Sequence, residues 1–360
     1  MSVIQLFPFF FTDREQEIYS DDQFVITLFR YPSGVEAIKV KNSLGSIVVL
    51  PYLGQMIWEA NFYGQSIGLR SKYTQPKKQV KDFFETDGCY LMHCGPRRIC
   101  EFDNKYGLVL GELPLAEYDR AYIILDEDEK GRFAAVSGKY EYNRHRGDQY
   151  IAEPITRVYA DSSVLKVTMK ITNTSGYPLD YMYLFHTNSP ARDGGRFVQP
   201  LRWNKDDMSM FVPLTEDDLC PDAKEIFREF QKDPIALQQL SYGTDYLPEF
   251  CLHLNNPIAD EDGMYHFMQV DPSGYADYTG VPANGPLNVF ARWITRGKDH
   301  SAASLCQPSS CGIEGYEAEK AAGHVPSIAP GSSLTATVYM GLLEPNAASA
   351  MEKKINDLLK

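Results

Sequence analysis

Leu165, Val167, Met169 and Ile171 alternate with Lys166, Thr168 and Lys170, the period-two signature of a strand with one buried face. Asn173, Ser175, Gly176 and Pro178 follow, residue types that accept tight or left-handed backbone, and an apolar, aromatic run resumes over 179–185. The pattern predicts a hairpin of two paired strands within 164–190. Over 181–188 the pleat puts Met182, Leu184, His186 and Asn188 on one face and Tyr181, Tyr183 and Phe185 on the other. His186 therefore stands at the polar end of an apolar row.

The same reading predicts short strands at 24–28, 35–40, 46–50 and 56–62, a second group at 107–110, 120–125, 132–142 and 155–159, and a third at 250–254, 265–270, 287–295 and 334–342. Many strands and few helices predict an all-β chain, a large antiparallel β-sandwich. Two segments break the pattern. Ile226, Phe227 and Phe230 recur at helical spacing behind an acidic start, which predicts a short helical insertion over 215–240 that covers part of a cleft. Met351, Ile355 and Leu358 predict a C-terminal helix over 346–360. No Gly/Ser or Pro-rich linker divides the strands, so 1–360 reads as a single domain.

Composition narrows the function classes. A formal charge of −13 disfavours nucleic acid and anionic membrane surfaces as partners, since both would be repelled, and leaves a neutral small molecule as the easier ligand. Apolar runs fall short of the roughly 20 residues a membrane helix needs. The apolar "LFPFFF" near the start has no basic residues before it, so the expectation is a cytoplasmic protein. Seven cysteines without a Cys-x-x-Cys pair indicate reduced thiols rather than disulfides or zinc. No His-x-x-x-His or phosphate-binding glycine loop is present, and neither metal nor cofactor is expected.

The segment "ITNTSGYPLDYMYLFHTNSP" resembles the part of aldose 1-epimerase (galactose mutarotase-like) proteins in which an Asn-Thr turn precedes a strand bearing a catalytic histidine. "PYLGQMIWEANFYGQSIG", "GCYLMHCGPRR", "YGLVLGELPL" and "SLCQPSSCGIEGYEAEKAAGHVPSIAPGSS" follow the family's order, and the likeness is greatest to a bacterial branch. The resemblance implies a galactose mutarotase-like supersandwich and an isomerase that interconverts the anomers of a free sugar or sugar derivative. The alternative is a carbohydrate-binding protein that keeps the cleft without turnover.

Mutarotation needs one group to take the proton of the anomeric hydroxyl and another to protonate the ring oxygen. In the resembled family these are a glutamate and a histidine, with a second histidine and an arginine holding the sugar. The acid histidine maps to His186, with Asn188 beside it. The family's other histidine is Leu110 here, and His93 with Arg97 or Arg98 are the substitutes for sugar binding. The family's Glu-Pro pair reads Gln307-Pro308, and an amide cannot accept the proton. Either the base has moved, to Glu314, Glu317, Asp299 or His300, or the usual mechanism does not run. For Glu317 and Glu319 individually, an exposed charged turn is the commoner explanation. Trp293, and Trp58 earlier, are candidate platforms for a sugar face, though core packing is the commoner explanation for a tryptophan.

Overall fold

The computed structural model describes residues 1–101, 109–211 and 215–360. Its described strands form two large antiparallel sheets and one two-stranded pair, Leu179–Asp180 with Ser327–Ile328. The nine-stranded sheet starts at Ser2–Leu6 and runs through Arg120–Asp128, Gly131–Asn143, Gln149–Tyr159, Val164–Asn173, Ser333–Leu343, Ala276–Pro282 and Met264–Val270 to Arg196–Val198. The thirteen-stranded sheet runs from Met208–Met210 through Tyr246–Leu254, Val289–Arg296, Gln307–Ser309, Leu184–Thr187, Leu91–Cys94 and Ile57–Phe62 to Gln16–Ser20. Alternation dictates the packing: Leu165, Val167, Met169 and Ile171 of one sheet meet Ile26, Leu28, Ile38 and Val40 of the other in a single buried core.

The hairpin expected within 164–190 does not form. Val164–Asn173 pairs with Gln149–Tyr159 and Ser333–Leu343, whereas Leu184–Thr187 pairs with Leu91–Cys94 and Gln307–Ser309 in the opposite sheet. The Asn173 turn is a crossing between sheets. Asn173 Nδ2 donates to Tyr177 O at 2.7 Å and Ile328 O at 2.8 Å, and its Oδ1 accepts from Ser175 N at 2.9 Å. Both strands present an apolar face, and a sandwich lets them bury those faces against the same core from opposite sides. The expected facing survives this: Tyr181, Tyr183 and Phe185 enter the inter-sheet core, and Met182 and Leu184 the other side of the sheet.

That other side carries a second apolar cluster, including Trp58, Met92, Cys94, Leu184 and Ala291, with Phe83, Ile99 and Phe211 lying over it. Of the expected strand at 107–110, residues 107 and 108 lie outside the described residues, and 109–110 form a turn. The insertion folds as the helix Pro221–Lys232, flanked by the 3-10 turns Glu216–Asp218 and Pro234–Leu237. Its Ala223, Phe230 and Leu237 pack into the inter-sheet core, which turns the buried side of the helix away from the apolar cluster on the His186 side. The helix Pro345–Leu358 seats Ala348 and Ile355 against Met268 and Tyr278 on the outside of the nine-stranded sheet. Among the described residues no helix is long and apolar enough to cross a membrane, and all seven cysteines are free thiols.

Candidate functional site

His186 lies on Leu184–Thr187 opposite Met92, on the face turned away from the inter-sheet core. The adjoining strand brings Gln307 to it, and Gln307 Nε2 approaches His186 Nε2 at 3.2 Å. The next strand places Ala291 opposite Gln307, and the one beyond places His253 opposite Ala291. Four strands thus set His253, Ala291, Gln307 and His186 in one row. Trp293, two residues from Ala291, stands edge-on to the His186 ring with centroids 5.5 Å apart. Its indole nitrogen donates to Glu249 Oε2 at 2.5 Å. Glu249 was not anticipated from sequence; the signal for it is its alternation with Cys251 and His253 along a strand whose register only the fold reveals.

Burial penalises the charged imidazole of His186 and lowers its pKa to about 4, with Asn188 acting against that shift. At neutral pH the ring is therefore uncharged. Asn188 opposes that shift from close by the ring, though the geometry between His186 Nδ1 and Asn188 Oδ1 falls short of a full hydrogen bond and neither atom has another partner. Asn188 is fully buried, and its Nδ2 donates to Cys89 O at 3.0 Å.

Other expected site residues go elsewhere. His93 alternates with Met92 and so points into the inter-sheet core, where it is fully buried, with Nδ1 2.7 Å from Tyr183 OH. Burial lowers its pKa to about 3, and it does not share a face with His186. Arg97 Nε donates to Asp148 Oδ2 at 2.7 Å and Nη1 to Tyr142 OH at 2.8 Å, contacts that commit it to the nine-stranded sheet. Arg98 stacks over the Tyr316 ring at 3.4 Å. Leu110 packs against the apolar cluster on the His186 side.

Of the replacement bases considered, only Glu314 meets this row, through His253; the others lie elsewhere. Glu317 is exposed on the helix Tyr316–Ala321. Asp299 pairs with Lys72 at 2.5 Å, and His300 Nε2 lies 2.7 Å from Thr295 Oγ1. Glu314 contacts His253 Nε2 at 3.2 Å, and burial beside Glu319 raises its carboxyl pKa. Glu319, expected in an exposed turn, is only 2% exposed; it faces His324 Nδ1 at 3.0 Å and accepts from Glu314 N. Two surface hollows of ≈ 460 and ≈ 570 Å³, beside the Pro221–Lys232 helix and beside Phe9–Phe11 with Arg30, do not border His186.

Two packed antiparallel sheets with this order define a galactose mutarotase-like β-sandwich. The chain is similar to the crystal structure of a candidate aldose 1-epimerase from Klebsiella pneumoniae subsp. pneumoniae, with 16% identity over 96% of this chain and 92% of that one, at a TM-score of 0.80. It is also similar to a galactose mutarotase-like protein from Clostridium acetobutylicum, at 13% identity, 90% and 100% coverage, and a TM-score of 0.63. A third, from Lactobacillus casei, gives 12% identity, 85% and 100% coverage, and a TM-score of 0.51. At such identities the likeness establishes the fold alone. No family model and no curated protein matches the sequence.

Proposed function

We propose that the protein acts on the anomeric centre of a free sugar, as an aldose 1-epimerase-like isomerase, with the sugar ring seated where His186, Gln307 and Trp293 meet. The observation that carries this reading is the His186–Gln307 contact at 3.2 Å, made by residues 121 positions apart on the face where the fold's strands converge. A neutral imidazole takes the proton of the anomeric hydroxyl and returns it to the ring oxygen as the ring C–O bond breaks, so the proton balance of ring opening closes on His186. The Gln307 amide offers both a donor and an acceptor, so it supports either tautomer of the ring. Trp293 presents an apolar edge, fixed by its bond to Glu249.

A second reading, binding without turnover, is favoured by one specific feature: among the described residues no carboxylate hydrogen-bonds His186, and its neighbour is an amide. Anomer exchange measured by NMR with common aldoses, beside calorimetric titration, separates the two. Catalysis predicts accelerated exchange that falls by about 10²–10⁴-fold in His186→Ala, the usual worth of a proton-transferring group. Saturable binding with no acceleration leaves the binding reading, and neither binding nor exchange removes both.

A further inference from the structure

Arg292 alternates with Ala291 and Trp293 along Val289–Arg296, so it leaves the face of His186 and enters the inter-sheet core, where it is 0% exposed. Its Nε donates to Leu305 O at 3.1 Å, while Nη1 and Nη2, both buried, have no partner. The guanidinium carbon stands 4.2 Å from the centroid of the Phe197 ring and 5.8 Å from that of Trp203. Phe197 belongs to Arg196–Val198, the edge of the nine-stranded sheet, and Met208–Met210 is an edge of the other. The segment 199–207, with Leu201 and Trp203 packed on the core, joins those two edges, so Arg292 lies at this end of the sandwich.

The two rings stabilise a cation through their faces, but the N–H groups lie in the guanidinium plane and still need acceptors. A cation kept out of water without a counter-charge is costly. Among the described residues no carboxylate acts on Arg292; its one charged influence is the Cys306 thiol, which burial pushes up and so keeps neutral. Burial lowers the Arg292 pKa to about 9, and the group therefore stays charged at neutral pH.

We propose that Arg292 Nη1 and Nη2 hold a small monovalent anion, a halide or a carboxylate of formate size, at this end of the inter-sheet core. The fork of two N–H donors suits such an ion, which brings both the acceptor and the charge that the neighbouring side chains do not. Water would bring the acceptor alone. The site lies across the sheet from His186 and is independent of the sugar chemistry proposed above. Through Nε it also meets the strand of Gln307, since Leu305 stands two residues before it.

Trp203 supplies the readout, because bromide quenches the fluorescence of an indole beside it. Bromide is titrated into the protein at constant ionic strength, balanced with methanesulfonate. The expected result is a saturable quench that chloride or formate competes away, and whichever competes at the lower concentration distinguishes a halide from a carboxylate site. The saturable part should vanish in Trp203→Phe, and Arg292→Met should keep only the linear, collisional part. Urea melts in the same salts give a second arm. The preferred anion at about 100 times its Kd should raise the folded-to-unfolded ratio of the wild type about 100-fold over methanesulfonate. Arg292→Met, whose core no longer carries the charge, should not respond. A linear quench in the wild type, with melts indifferent to chloride and formate, overturns the proposal whether or not the variant folds. A saturable quench that persists in Arg292→Met places the anion elsewhere and overturns it as well.

Discussion

Gln307 shows how a single side chain sets the chemistry of this face. Gln307 occupies the position that the family resemblance assigns to a glutamate, and it lies against His186 without offering a charge. Restoring the carboxylate has a defined consequence. A Gln307→Glu anion beside His186 favours the protonated imidazole and raises its pKa from about 4 toward the neutral range, and it supplies a proton acceptor at the same time. The expected result is faster anomer exchange by about tenfold or more, with the His186 titration moving upward in NMR. An unchanged histidine titration would show that the two side chains do not sense one another. Histidine itself was legible as a residue type, but not its surroundings: His93 and His186 look alike in sequence, and the alternation of two paired strands sends one to the dry core and the other to the site.

At the scale of elements, the junction of Leu91–Cys94 with Leu184–Thr187 matters most, because it aligns Met92 with His186. Gly95 ends the first strand with φ +88, and a Cβ there would collide with the Met182 carbonyl oxygen. Gly95→Ala is therefore expected to cost about 1–3 kcal/mol from backbone strain, and more from displacing Met182. Urea melts measure the loss, and a variant as stable as the wild type would show that this junction yields easily. The strands themselves were readable. Expected 132–142 and 334–342 became Gly131–Asn143 and Ser333–Leu343, since long alternation fixes both the element and its buried face. Pairing was not readable. The turn at Asn173 has every residue of a hairpin turn, yet it joins two sheets, because turn chemistry specifies a reversal and says nothing of which partner waits beyond it.

For the whole molecule, burial of titratable groups between and upon the sheets makes stability depend on pH in two opposed ways. Asp87 and Glu112 have carboxyl pKa values raised by burial to about 7, from 3.8 and 4.5, so the folded protein holds these protons more tightly than the unfolded chain. Their contribution is lost as pH rises from about 4 to about 7. His93 and His186 are lowered from 6.5 to about 3 and about 4, so the unfolded chain takes up protons first and stability is lost as pH falls below the ordinary histidine value. Glu112→Gln should flatten the decline on the alkaline side, and His93→Phe the decline on the acid side, in denaturant melts across this range. Parallel pH profiles in variant and wild type would mean that these groups reach solvent in the folded state.

The sequence by itself determined the all-β class, the approximate extent of most strands, the side of the strand on which His186 lies and the absence of the usual glutamate, because alternation and residue identity are local properties of the chain. Tertiary structure alone decided that Gln307, Trp293 and Glu249 converge on His186 and that His93 and Arg97 do not. The crossing at Asn173 and the seating of the 215–240 segment on the core belong with them. These depend on which strands pair and in what register, and those choices are made by the summed burial of two large sheets rather than by any short stretch of residues.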